Sequence, residues 1–214
     1  MKTQDLILHL VRDSRPVDRH AVSRQLNQAL IVGLSGGALL LVVLFGFSSE
    51  MPDLLLTADF WLRLLFPLVV IVSAMQLLDR LARPGAAWRQ AWLVTLLPIV
   101  AMVLGATAFL LATPPQLRLT LFPTEARWTS IVADIVLLSL PSLAATLHAM
   151  RQLAPTRLSL AGAGGGLLAG AQGALIYMLY GPDMPLPSWG LLHGGAIFMT
   201  TALGAALGPR YLRW

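Results

Sequence analysis

Residues 158–180 read LSLAGAGGGLLAGAQGALIYMLY and contain no charged side chain. A helix of this length can cross the hydrocarbon core of a bilayer, which is roughly 30 Å thick and needs about 20 apolar residues. Similar apolar runs recur along the whole chain. The six runs are Leu26–Phe47, Phe60–Leu78, Ala91–Ala112, Trp128–Met150, Leu158–Tyr180 and Trp189–Gly208. The sequence therefore predicts an all-α integral membrane protein with six transmembrane helices.

The composition agrees with a membrane protein and excludes several kinds of site. Hydrophobic residues make up 57% of the 214 residues, and charged residues only 12%, which is unusual for a soluble domain. The chain has no cysteine, so disulfides, iron–sulfur clusters, thiolate zinc sites and cysteine nucleophiles are excluded. No HExxH motif, serine triad or cluster of carboxylates in one plane of the membrane is present. We therefore predict no catalytic residues, no metal site and no cofactor.

The basic residues indicate how the chain is oriented. With the N-terminus placed in the cytoplasm, only Arg63, Arg118 and Arg127 of the 15 Lys and Arg residues lie outside. The others lie inside: Lys2, Arg12, Arg15, Arg19, Arg24, Arg80, Arg83, Arg89, Arg151, Arg157, Arg210 and Arg213. The positive-inside rule then predicts that both termini are cytoplasmic. This topology accounts for the net charge of +5 without direct nucleic-acid binding.

The predicted division has three parts: a cytoplasmic tail at 1–25, a six-helix membrane domain at 26–208 and a cytoplasmic C-terminus at 209–214. Apolar residues of the tail recur at helical spacing on either side of a proline that separates two short amphipathic helices. These residues are Leu6, Leu10, Val11, Val17 and Leu26. Two interpretations remain open: a helix lying on anionic lipid, or a helix that docks in a groove of a soluble partner.

The fifth run contains a face of small residues. Gly162, Gly166 and Gly170 recur at i, i+4 and i+8, a spacing that lets two helix backbones approach closely. A phosphate-binding loop is excluded, because no Lys-Ser/Thr follows and the segment lies in the bilayer. Pairs of glycines in the last and first runs are candidate partner faces: Gly204 with Gly208, and Gly33 with Gly37. Packing within one chain and packing between two chains both remain open, so the oligomeric state is not predicted.

Few ionisable groups lie inside the runs, and such groups are costly in a membrane. Arg63 and Asp134 lie at similar depths from the outside and have opposite charge, which predicts a buried ion pair rather than a proton relay. His148 and His193 lie near opposite ends of their runs and cannot share a metal. Gln172 is predicted to form an interhelical hydrogen bond rather than to line a path.

The chain resembles the NrsF-type membrane proteins (negative regulator of sigma F), which are bacterial anti-sigma factors with six spans and a short cytoplasmic tail. The matching residues run through nearly the whole chain. They are Asp13-Ser14-Arg15-Pro16-Val17, Leu26, Leu81-Ala82-Arg83-Pro84-Gly85, Leu138-Ser139-Leu140-Pro141, Met150-Arg151-Gln152-Leu153-Ala154-Pro155, Ala161-Gly162-Ala163 through Gly170-Ala171, Tyr177, and Gly208-Pro209-Arg210-Tyr211-Leu212-Arg213-Trp214.

The resemblance implies that the tail binds an extracytoplasmic-function sigma factor and holds it at the bacterial inner membrane until an envelope signal releases it. The residues implied in sigma binding are Leu6, Leu10, Val11, Arg12, Asp13, Arg15, Pro16, Val17, Arg19 and Leu26. The apolar stripe would supply contact, and the arginines would pair with acidic sigma surfaces.

The chain departs from the family in one respect. Family members typically carry cysteines on the outer side that are linked to the sensing of oxidants or heavy metals, and this chain has none. Asp134, Asp183, His193 and the acidic first outer loop are therefore hypothetical sensors of pH or cations. Two other function classes stay open: a small transporter or channel with a path through Arg63, Asp134 and Gln172, and a membrane scaffold subunit with an unrelated soluble partner.

Overall fold

The computed structural model describes residues 20–46, 56–83, 85–118, 121, 125–180 and 184–213. Within these ranges the chain is helical and contains no strand. The helices, in chain order, are α1 (Ala21–Leu44), α2 (Ala58–Ala82), α3 (Trp88–Ala112), α4 (Pro115–Arg118), α5 (Glu125–Gln152), α6 (Leu158–Tyr177) and α7 (Leu186–Tyr211). Six of them, all except the four-residue α4, are long and apolar enough to cross a membrane, which confirms the prediction of six apolar helices.

The helix ends differ from the ends of the apolar runs. α1 begins at Ala21, five residues before the predicted start at Leu26, and α6 ends at Tyr177 rather than Tyr180. Apolar content marks only the part of a helix that lies in hydrocarbon. A helix can continue into the polar interface because it satisfies its own backbone hydrogen bonds.

Three prolines that lie mid-helix do not divide the helices that contain them. Pro67, Pro98 and Pro141 lie inside α2, α3 and α5, each of which continues on both sides of its proline. Transmembrane helices tolerate such prolines where neighbouring groups satisfy the freed carbonyls.

α6 is the central helix of the bundle. Its apolar segment is 78% buried, whereas that of α3 is 11% buried. α6 contacts α1, α2, α5 and α7, and α3 packs at the periphery against α2 and α7. The core around α6 is closed by large apolar side chains that are fully buried: Leu77, Leu78, Ile135, Leu138, Leu167, Leu168 and Ile197. The outward face of α3 is apolar, as a lipid-facing helix requires.

The glycines of α6 lie against α7. A Cβ atom on Gly162 would overlap the carbonyl oxygen of Gly204 and would lie 2.8 Å from the Cα of Gly208. A Cβ on Gly166 would overlap the carbonyl oxygen of Thr200, and one on Gly170 would lie 2.9 Å from the Cα of Ile197. The two backbones are therefore in direct contact along about two turns, and both helices belong to the same chain.

Replacing Gly166 by Ala tests this contact. The added methyl group must displace a backbone carbonyl of α7, and overpacking of this kind typically costs about 1–3 kcal/mol of the free energy of unfolding. We expect Gly166→Ala to lower the thermal unfolding temperature of the full-length protein in detergent. Gly195→Ala is the matched control, because Gly195 is also helical and a Cβ on it would meet nothing within 4 Å. An equal loss of stability in both variants would contradict the close contact.

Candidate functional site

The predicted sigma-binding residues of the tail lie outside the described residues. These residues are Leu6, Leu10, Val11, Arg12, Asp13, Arg15, Pro16, Val17 and Arg19. In sequence they directly precede α1, which begins at Ala21. α1 is thus the element that joins the tail to the membrane bundle, and its packing decides how the two are connected.

Leu26 is the exception among the predicted tail residues, because the structure describes it. Its side chain is only 1% exposed and belongs to the hydrophobic core. It lies on the buried face of α1 together with Ala29, Gly33, Gly37 and Leu41. Helical spacing alone predicts that Leu26 belongs to the apolar stripe of the tail. The same spacing also places Leu26 on the buried face of α1. In this structure Leu26 packs within the bundle and is not presented to solvent.

The middle of α1 packs against α5 and α6 through glycines. A Cβ on Gly33 would lie 2.8 Å from the Cα of Ser142 in α5 and 2.6 Å from the side-chain oxygen of Gln172 in α6. A Cβ on Gly37 would lie 2.9 Å from the carbonyl oxygen of Leu138 in α5. These small residues allow the backbone of α1 to approach the bundle.

Polar groups lie beneath this contact without hydrogen-bond partners among the described residues. Gln172 is fully buried, and neither its amide nitrogen nor its oxygen has a partner. The hydroxyl oxygens of Ser142 and Thr146, in α5, are also buried and unpaired. Among the described residues the predicted interhelical hydrogen bond of Gln172 is not formed; its oxygen lies against Gly33, which offers no side-chain donor.

At the end of the bundle where α1 begins, side-chain amides link α1 to α5. The Nε2 of Gln25 donates to the Oε1 of Gln152 at 2.9 Å, and the Nε2 of Gln152 donates to His148 at 2.9 Å. A cavity of about 340 Å³ lies beside this chain of hydrogen bonds, between α1 and α5. The sequence analysis does not predict the Gln25–Gln152 bond; its one signal is that both residues lie at ends of apolar runs predicted to face the cytoplasm.

Arg63 pairs with a different carboxylate from the one predicted. Its Nη2 bonds to Asp59, one turn earlier in α2, and its Nη1 donates to the carbonyl oxygen of Met184 at 2.8 Å. Asp134 has no ion pair with any residue that the structure describes. Equal depth in the membrane is not sufficient for a pair, because Asp59 reaches Arg63 from the same helix face at i, i+4 spacing.

Aromatic rings surround His193 near the end of the bundle opposite Gln25 and Gln152. His193 is 1% exposed, and its Nδ1 donates to the carbonyl oxygen of Trp189 at 2.9 Å. Its ring lies 4.8 Å from that of Trp189 and 6.1 Å from that of Tyr177, measured between centroids. His193 is therefore not presented at the surface of the bundle, Asp183 lies outside the described residues, and a sensing role for either stays a prediction. Within the described ranges, no group of three His, Cys, Asp or Glu residues could hold a metal ion.

The model of one protein family matches residues 10–214 of the chain, and its description is "Negative regulator of sigma F" (NrsF). The chain belongs to the NrsF family. It is 33% identical over 214 residues to the probable anti-sigma-F factor NrsF of Azospira oryzae, with 100% of both chains covered. It is also 33% identical over 222 residues to the anti-sigma-F factor NrsF of Caulobacter vibrioides, again with 100% of both chains covered. No solved structure matches the chain.

The family match extends from Leu10, within the tail, to Trp214. It therefore covers the predicted sigma-binding residues from Leu10 onward and all six apolar helices. The NrsF relatives are named as regulators and not as enzymes, which agrees with the prediction that the chain has no catalytic constellation.

Replacing Gln172 by Leu tests the unpaired polar contact at Gly33. A buried polar group without a partner costs about 1–3 kcal/mol, and Leu has a similar size without that cost. We expect Gln172→Leu to leave the unfolding temperature of the purified protein unchanged or to raise it. Gln76→Leu, on the exposed face of α2, is the control for removal of an amide. A clear loss of stability in Gln172→Leu alone would show that its amide is hydrogen-bonded in the folded protein.

Proposed function

We propose that this protein is a membrane-bound anti-sigma factor. It sequesters a sigma factor of the extracytoplasmic-function class through the tail at 1–25, keeps it from RNA polymerase, and releases it on an envelope signal. The observation that carries this proposal is the end-to-end similarity to two anti-sigma-F factors of the NrsF family. The six apolar helices, with the tail attached directly to α1, are consistent with this role.

In this proposal, the apolar residues of the tail supply the contact with the sigma factor. The proposed contact residues are Leu6, Leu10, Val11, Pro16 and Val17, with Arg12, Asp13, Arg15 and Arg19 at the rim. A helix that lays its apolar face into a groove is a common mode of recognition. The rim arginines contribute mainly to the rate of capture and to the register of docking. Leu26 is left out of the contact because it is buried in the bundle.

We place the protein in the bacterial inner membrane, with both termini in the cytoplasm. The distribution of Lys and Arg supports this orientation. The membrane domain then begins with α1, and the outer end holds the aromatic rings, His193 and the Arg63–Asp59 pair.

The arrangement of polar residues gives no support to a transporter. Arg63 is held by Asp59 and Met184, and Gln172 is fully buried. A water-lined path through these residues would need their polar groups to face a common channel. We therefore favour a regulatory role, in which the bundle anchors the tail.

Binding of the sigma factor by the full-length protein in detergent tests the proposal. Leu10→Asp should weaken binding at least tenfold, because a buried Leu side chain is worth about 1.5–3 kcal/mol. Arg15→Glu should slow association most strongly at low salt. Arg210→Glu, an exposed charge reversal outside the tail, is the control and should bind as the wild type does. Absence of binding by the wild-type protein would refute the anti-sigma role.

The orientation is tested by single-cysteine variants, because the chain has no cysteine of its own. Ala87→Cys lies just before α3, and Gln116→Cys lies in α4, at the opposite end of α3. In spheroplasts, an impermeant maleimide should label Gln116→Cys and should label Ala87→Cys only after the membrane is opened. The reverse pattern would contradict cytoplasmic termini.

A further inference from the structure

A polar cavity lies at the inner end of the bundle, between the α2–α3 loop and the α5–α6 loop. Its volume is about 300 Å³, which is in the range of small-molecule sites. Its lining includes Arg80, Arg83 and Gly85 from one side and Thr156 and Arg157 from the other. No carboxylate lines it among the described residues. Three arginines, from the end of α2, the α2–α3 loop and the α5–α6 loop, thus line one space.

Each of the two loops contains a residue with positive φ. Gly85 has a φ of +84°, and Ala154 has a φ of +47°, a conformation that residues other than glycine rarely adopt. The turn at Ala154 directs the chain into Thr156 and Arg157 and then into α6. A strained residue such as Ala154 persists where the surrounding structure requires its conformation.

Two arginines of the cavity, Arg80 and Arg83, keep donors for a ligand. Arg80 donates from Nη1 to the carbonyl of Ala87 at 3.2 Å, and Arg83 donates from Nη2 to Asp79 at 2.9 Å. Each guanidinium has five N–H donors, so each of these bonds leaves others for a ligand. The Thr156 hydroxyl makes no hydrogen bond to any other residue in the described part of the chain. The site therefore combines positive charge with open donors on Arg80 and Arg83; the carboxylate that bonds to Arg83 is that of Asp79, which does not line the cavity.

Helix ends add to the positive character of the site. α6 begins at Leu158, directly after the lining residue Arg157, and α3 begins at Trp88, two residues after the lining residue Ala86. Neither helix has a side-chain cap. The first-turn N–H groups of a helix favour an anion. This contribution supports the arginine cluster but does not replace it.

We propose that this cavity binds a phosphate-bearing anion, and that its source is the headgroup of an anionic phospholipid. Arginine matches phosphate oxygens with paired, charge-assisted hydrogen bonds. The loops lie where transmembrane helices leave the hydrocarbon, at the depth of lipid phosphates. The bound headgroup links the α2–α3 and α5–α6 loops and so fixes the inner end of the bundle. This inference goes beyond sigma binding and holds for either orientation of the chain.

Native mass spectrometry of the full-length protein, titrated with phosphatidylglycerol and with phosphatidylcholine, tests the proposal. We expect a preference for phosphatidylglycerol that each arginine removal weakens about fivefold, since a basic residue near an anionic surface is worth about 1 kcal/mol. The variants are Arg80→Gln, Arg157→Gln and their combination. Arg89→Gln is the matched control, because Arg89 belongs to the same basic inner region but does not line the cavity.

Two further variants distinguish lipid binding at this cavity from the effects of net charge and of misfolding. Arg157→Lys keeps the charge but loses the paired hydrogen bonds, so it should bind more weakly than the wild type and more tightly than Arg157→Gln. Thr156→Val removes a single hydroxyl and should also weaken binding while leaving the charge unchanged. Unchanged lipid affinity in the double arginine variant, or an equal loss in Arg89→Gln, would overturn the proposal.

A second arm identifies the source of the phosphate. Inorganic phosphate alone should neither compete with phosphatidylglycerol nor raise the unfolding temperature at millimolar concentration. Full competition by inorganic phosphate would assign the cavity to a soluble ion and overturn the lipid assignment. Loss of sigma-factor binding in the arginine variants, with their lipid affinity unchanged, would assign it to an acidic surface of the partner instead. The lipid measurement contains no sigma factor, so its result is independent of the anti-sigma proposal.

Discussion

The fold depends on direct backbone contact between α6 and its neighbours. Lipid tails are as apolar as leucine side chains, so the hydrophobic effect does not drive helices together within the bilayer. Close packing must do so, and it requires that side chains be absent where the helices meet. Gly162 and Gly166 meet α7 at Gly204 and Thr200, and Gly173 meets α5 at the carbonyl of Ile135. α6 is therefore central because small residues lie on several of its faces.

α1 is attached to the bundle at three levels along its length. Phe45, just past the end of α1, contacts Tyr180 at 5.0 Å between ring centroids. Gly33 and Gly37 meet α5 and α6 in the middle of α1. Gln25 bonds to α5 near the start of α1. The middle contact covers the unpaired polar groups of Gln172 and Ser142. Because such groups lose hydration when buried, part of the free energy gained by packing is offset there. α1 is also the helix that carries the tail. The contact of α1 with α5 and α6 therefore connects the bundle to the proposed partner.

The two ends of the bundle differ in chemistry. At the end that holds His193, the ring of Trp189 contacts those of Phe66 and His193, and the ring of Tyr177 also contacts His193. The opposite end is polar among the described residues, with cavities lined by amides and by arginines; Arg80 lines three of them. In the proposed orientation this polar, basic end faces the cytoplasm, where the proposed partners, a sigma factor and anionic lipid, would both meet it.

Apolar runs and their lengths were sufficient to predict six membrane-crossing helices, because hydrocarbon thickness sets helix length directly. The spacing of Gly162, Gly166 and Gly170 likewise marks a packing face, since i, i+4 periodicity is a local property of a helix. The partners of single side chains were not predictable in this way. Arg63 bonds to Asp59 rather than Asp134, Gln172 has no partner among the described residues, and Leu26 is buried. These outcomes depend on the rotation of each helix about its axis, which a sequence pattern leaves undetermined and which only the packing of all the helices decides.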